Sequence, residues 1–218
     1  MIKLIRIKLN DVFLEIKESF PLFLSSVATS AYTQLFTVIL GLHANTAAVG
    51  RYSASERIMR ALCFAIYSPI NAAYYPKIAS LSRNNADAAK KMIWKLSKLI
   101  LLIMMFLSVL LFAFADSISS LLGKEYQDFS TLLRIMSFAP VPIALGAVFG
   151  QMGLVAMGDM HTKKLFQRVY VIAGAVSLVA VFVLTNFFAE TGAAVSLLIT
   201  EYLVFIMMLM YYRKNICC

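Results

Sequence analysis

Arg57 and Arg60 stand three residues apart at the head of a long apolar run, so in a helix they point to one face. Phe64, Tyr67, Ser68, Asn71, Tyr74 and Tyr75 continue that face inside an arc of roughly 120°. Guanidinium groups hold phosphate oxygens through paired hydrogen bonds. Tyrosine rings beside an amide offer a sugar flat apolar surface and hydrogen bonds. A face of this kind would receive an anion at one end and a carbohydrate further in. The plainer reading makes the same arginines anchors at a membrane–water boundary, with their side chains reaching outward. Glu201 is the one acid deep inside an apolar run, flanked by Thr200 and Tyr202. A membrane carboxylate is costly, so it either pairs with an arginine or hydroxyl or carries a coupling proton or cation. Ser26, Ser30, Thr33 and Thr37 form a hydroxyl stripe at helical spacing, suited to helix–helix hydrogen bonds or to a water-filled groove. Arg134 opens a later apolar run. The expected binding residues are therefore Arg57, Arg60, Tyr67, Asn71, Tyr75, Ser30, Thr33 and Arg134, with Glu201 as the candidate for a coupling ion.

Catalytic chemistry is not indicated. His43 and His161 have no second ligand at a useful spacing, and Cys63, Cys217 and Cys218 form no metal or disulfide pattern. Neither a nucleophile–base pair nor a phosphate-cradling loop is present. The expectation is a non-enzyme with no cofactor and no metal.

The elements that must carry these residues are membrane helices. Of 218 residues 61% are hydrophobic and 14% charged, with mean hydropathy +0.81. A soluble domain holds about 45–50% apolar and about 25% charged residues. An all-α membrane bundle is the expected fold, since the long unalternating runs do not suit barrel strands. Six spans are predicted, at 20–42, 58–78, 96–115, 132–157, 165–188 and 193–212. Fifteen of the 20 basic residues lie before the first span, in the links between the second and third and between the fourth and fifth or at the span ends that face those links, and after the last. That distribution puts both ends in the cytoplasm and accounts for the net charge of +9 without nucleic acid. Residues 1–19 are expected to form an amphipathic helix or connector on the inner surface, and 20–218 a six-helix transmembrane lobe. The third span is nearly uniform hydrocarbon and is expected to face lipid. Glu190 and Asp116 read as ordinary loop-end charges. In the fourth span, Gly146, Gly150 and Gly153 are spaced for close helix approach.

The run Gly50-Arg51-Tyr52-Ser53-Ala54-Ser55-Glu56-Arg57-Ile58 resembles a motif of bacterial polysaccharide repeat-unit (O-antigen) flippases. These form the polysaccharide-transport branch of the multidrug/oligosaccharidyl-lipid/polysaccharide exporter superfamily. Phe20-Pro21-Leu22 with Tyr32-Thr33 upstream, and Pro69 to Ile78 with its Tyr74-Tyr75-Pro76 downstream, carry the resemblance over residues 18–82. It implies the C-terminal six-helix half of a two-lobe exporter in the bacterial inner membrane. It also implies a lipid-linked oligosaccharide on undecaprenyl diphosphate as substrate, moved from the inner to the outer leaflet by alternating access. The implied partners are a second six-helix lobe and the polysaccharide assembly machinery. The competing reading is a small-solute-binding six-helix subunit of a membrane importer, which fits the same length and hydropathy.

Overall fold

The computed structural model describes residues 9–122 and 128–217, and every regular element among them is helical. Within the first helix, the side chains at 9–15, 17–18, 21–22, 25, 28–29 and 31–33 lie outside the described set. Most of the 1–19 segment therefore lies outside it, as does the Thr33 side chain.

Helix α1 (Leu9–His43) leads into α2 (Thr46–Asn84) across a two-residue link. The link is short because Asn45 caps α2, its side-chain oxygen accepting from the Ala48 amide at 2.9 Å. Asn85 serves two helices at once. Its amide donates to the Leu81 carbonyl and closes α2, while its side chain accepts from the Ala88 amide and opens α3 (Ala86–Ala113). A short α4 (Ala115–Leu122) and α5 (Phe129–Met136) follow. Pro140 and Pro142 then start α6 (Pro140–Ala147), where a missing N–H costs nothing. α6 runs on as a π-helical segment, Val148–Val155. Asp159 caps α7 (Met160–Tyr212) by accepting from the Thr162 amide at 3.0 Å. That bond holds the Asp159 carboxyl below its usual range.

Among the described residues three stretches are long and apolar enough to cross a membrane by length and composition: Ala86–Ala113, Phe129–Val155 and Met160–Cys217. The last has 58 residues, about 87 Å if straight, against a hydrocarbon core of about 30 Å. It does not run straight. Ala189 takes φ 47° and ψ −126°, and the chain reverses there. A methyl group built on Gly192 would collide with the Leu184 carbonyl, so only glycine fits inside the turn. Gly150 lies against both Phe166 and Met208, one from each arm of α7. With the arms counted separately, α1, α2, α3, the α5–α6–π composite and the two arms of α7 are the helices that cover the six predicted ranges, and the last four of these lie in the three apolar stretches. The chain is an all-α, multi-pass membrane protein.

The core lies where α2, α3, the composite helix and α7 meet. Tyr52, Met59, Ile93, Ile100, Met104, Phe129, Leu132, Met136 and Tyr212 are wholly buried there. Gly150 and Gly153 make room for Met208 and Tyr212, as the small-residue spacing predicted. α3 corrects one expectation. Met104 has no exposed surface, so α3 turns only one face outward.

Candidate functional site

α2 keeps its polar arc on one side because the 3.6-residue period holds across Pro69 and Pro76. Across from the arc stand the hydroxyl stripe of α1, the π-helical segment and α7. Three adjoining cavities lie along this face. The largest, about 460 Å³, is lined by Ser30, Gln34 and Thr37 of α1 and by Ser53, Glu56, Arg57, Arg60 and Phe64 of α2. The next, about 320 Å³, shares Ser30, Arg60 and Phe64 with it and adds Tyr67, Gln151, Phe166, Tyr170 and Glu201. The third, about 310 Å³, shares Ser26, Gln151 and Phe166 with the second and ends at Asn71, Tyr75 and Val155. The shared walls join the three into one groove running most of the length of α2.

At the centre is a three-charge cluster. Arg60 Nε donates to Glu56 Oε1 at 2.8 Å, and its Nη2 donates to Glu201 Oε1 at 3.1 Å. All three side chains are largely shielded, Glu201 most of all. One guanidinium is thus held between two carboxylates. Removing one member of a buried pair typically costs about 3–5 kcal/mol, because the remaining charge has no partner. Arg57 differs from Arg60. It lines the widest cavity, is exposed, and has no ion-pair partner among the described residues. Further along, the Tyr67 hydroxyl lies 3.3 Å from Asn71 Oδ1 and 3.4 Å from Gln151 Oε1. Gln151 is presented by the π-helical segment, a geometry that recurs at functional sites.

The structure therefore brings together Ser30, Arg57, Arg60, Tyr67, Asn71, Tyr75 and Glu201. It does not bring Arg134, which sits on α5, pairs with Asp116 and stacks over Phe112. The two acids read as loop-end charges both have partners. Asp116 holds Arg134, and Glu190 is buried and gripped by Arg51 through three hydrogen bonds of 2.8–3.0 Å. His43 bonds to Thr185 at 3.0 Å and packs edge-on to Phe182, close to the same reversal. Glu56 and Tyr170 were missed. Glu56 left a usable signal, since Glu four residues before Arg is a favourable helical pair.

Fold and groove together define a helical membrane protein with a long polar cleft sunk into its apolar bundle. The sequence comparisons place it more narrowly. Residues 6–131 match the family described as "Polysaccharide biosynthesis protein", and the chain belongs to that family. It is 33% identical over 212 residues to a protein of Escherichia coli K12 named "Putative O-antigen transporter", with 97% of this chain and 50% of that protein covered. A Shigella dysenteriae protein of the same name is 27% identical over 203 residues, covering 93% of this chain and 50% of its own. The chain thus spans about half the length of the curated relatives it matches. No solved structure matches it at a significant level.

Proposed function

We propose that this chain works as one six-helix lobe of a flippase. Its substrate would be an oligosaccharide linked through a diphosphate to a polyprenyl lipid, carried from the inner to the outer leaflet of the bacterial inner membrane. The observation that carries this reading is the continuous groove along α2, with charge at one end and aromatic and amide groups at the other. The diphosphate enters at Arg57, where a guanidinium is free to form charge-assisted hydrogen bonds. The sugars lie along Phe64, Tyr67, Asn71 and Tyr75. Glu201 is the coupling residue. A proton on Glu201 loosens its hold on Arg60 and turns that guanidinium toward the substrate phosphate, and deprotonation takes it back. A second six-helix lobe supplies the other wall. The groove binds and moves its ligand without catalysis, and both ends of the chain lie on the cytoplasmic side, as the basic residues favour.

The test is export of surface polysaccharide repeat units by cells lacking their own flippase, with the companion lobe supplied and expression matched. Arg57→Ala and Asn71→Ala are expected to reduce export, and Met105→Ala on the outward face of α3 to leave it intact. Equal export by all three would remove the groove from the mechanism. Orientation is checked by an impermeant thiol reagent on Asn45→Cys and Asn84→Cys in chains without the native Cys217 and Cys218. Label at 45 and none at 84 is expected, and the reverse would invert the topology.

A further inference from the structure

α3 carries two kinds of surface on one outward stripe. Lys91, Lys95 and Lys98 follow the helical repeat near its start, and Leu102, Phe106 and Val109 continue the same line. The opposite face, through Ile93, Ile100 and Met104, is wholly buried. Among the described residues nothing covers the outward stripe: Leu102 is 67% exposed, Phe106 65% and Val109 63%. All three lysines are exposed, and none has an ion-pair partner among the described residues, whereas neighbouring Lys90 is paired with Asp87. Trp94 flanks the stripe, half-buried against Phe149 and Tyr212, and the Arg213 guanidinium stacks over its ring at 5.5 Å. A fourth cation from the far end of the chain thus stands beside the collar.

We propose that this stripe is a binding site for an anionic membrane phospholipid. Charge complementarity names the occupant. Lys91 and Lys98 are about 10 Å apart along the axis, which is the depth of a lipid head-group layer rather than of one small ion. Below them the surface changes to bare hydrocarbon, so a ligand that satisfies the lysines without covering Leu102 and Phe106 fits only half the stripe. A phospholipid sets its phosphate among the lysines and lays an acyl chain over Leu102, Phe106 and Val109. Trp94 stands at the boundary, where tryptophan is favoured. Basic residues near a membrane surface attract anionic lipid, each adding to the pull of its neighbours.

The experiment uses the one tryptophan of the sequence as its probe. The full chain is placed in vesicles containing either brominated phosphatidylglycerol or brominated phosphatidylcholine with the same acyl chains, and quenching of Trp94 is recorded. The phosphatidylglycerol lipid is expected to quench at about one tenth of the mole fraction. Equal quenching by both would overturn the proposal without any mutation. In detergent, native mass spectrometry then compares binding of the unbrominated lipids. Lys91→Gln, Lys95→Gln and Lys98→Gln together should abolish the preference. Lys77→Gln, Lys163→Gln and Lys164→Gln together remove the same charge elsewhere and should keep it. Equal loss in both triple variants would mean that net charge alone attracts the lipid. Displacement of the lipid by inorganic phosphate at similar concentration would make the lysines an ion site with no acyl component. Phe106→Gln should weaken phosphatidylglycerol binding several-fold, and unchanged binding would likewise remove the acyl track.

Discussion

α2 and α3 are joined through a single residue, Asn85, and both bury one face and turn the other away from the core. Their outward faces could hardly differ more. α3 shows hydrocarbon below a basic collar, contains no proline, and is apolar enough to count as a span on composition alone. α2 shows Arg57, Phe64, Asn71 and Tyr75, carries two prolines, and does not stand out by hydropathy. The difference lies in what each face meets. A face against lipid needs only apolar side chains. A face against a groove needs polar groups, and those need partners on other helices. Glu201 and Gln151 answer Arg60 and Tyr67 from α7 and the π-helical segment. Low hydropathy in α2 therefore reflects the groove and does not argue against a membrane crossing.

The sharpest way to separate the two helices is through their buried groups. Arg60→Ala should destabilise the protein by about 3–5 kcal/mol in detergent, since it leaves Glu56 and Glu201 without their shared cation. Adding Glu201→Gln should recover part of that loss, and the coupling is read from a double-mutant cycle on thermal unfolding. Strict additivity would mean that the two side chains do not interact. On α3, Met104→Ala should cost about 2–5 kcal/mol, because it empties a closed part of the core. Met105→Ala, one residue further along the chain, should stay within about 0.5 kcal/mol. If the two behave alike, the assignment of faces on α3 is wrong.

Arg57→Ala should leave stability unchanged, while the diphosphate analogue binds about tenfold more weakly through loss of a charge-assisted hydrogen bond. That outcome would give the two arginines of one arc separate duties, one in binding and one in holding the helices together. The smallest effect is expected at the cap of α7. The Asp159 carboxyl is held below its ordinary 3.8 by the Thr162 amide. Its contribution is complete above that value and is lost as pH falls through the lower, folded one. Asp159→Asn, which can still cap, should remove this acid dependence and change little at neutral pH. A transition temperature with the same acid slope in both proteins would show that other carboxylates set it.

Much of this architecture was legible in the chain itself. The apolar runs located the helices, and four of the six expected spans fall largely within the three stretches long and apolar enough to cross a membrane, since about 20 residues of hydrocarbon leave the backbone few alternatives. The arc on α2 was readable because its polar residues mark a face. The same logic explains the error at Met104. In a run of almost unbroken hydrocarbon nothing distinguishes the core side from the lipid side, and only packing decides. Glu190 was read as a loop-end charge because its burial depends on the reversal at Ala189, a residue whose type gives no hint of positive φ. Arg134 resembled the groove arginines in kind, but its partner Asp116 lies 18 residues away on a separate helix, beyond the reach of helical periodicity.

The two prolines of α2 have a mechanical consequence. Each lacks an amide hydrogen, so the carbonyls of Ala65 and Ala72 lose their usual helical donors. The two gaps are seven residues apart, nearly two whole turns, and they open on the same side of the rod. Successive joints with parallel axes act like the knuckles of one finger. They curl the rod within a single plane and do not wind it about its own length. α2 can therefore lean toward or away from its neighbours while Arg57, Tyr67 and Tyr75 keep their order along one edge.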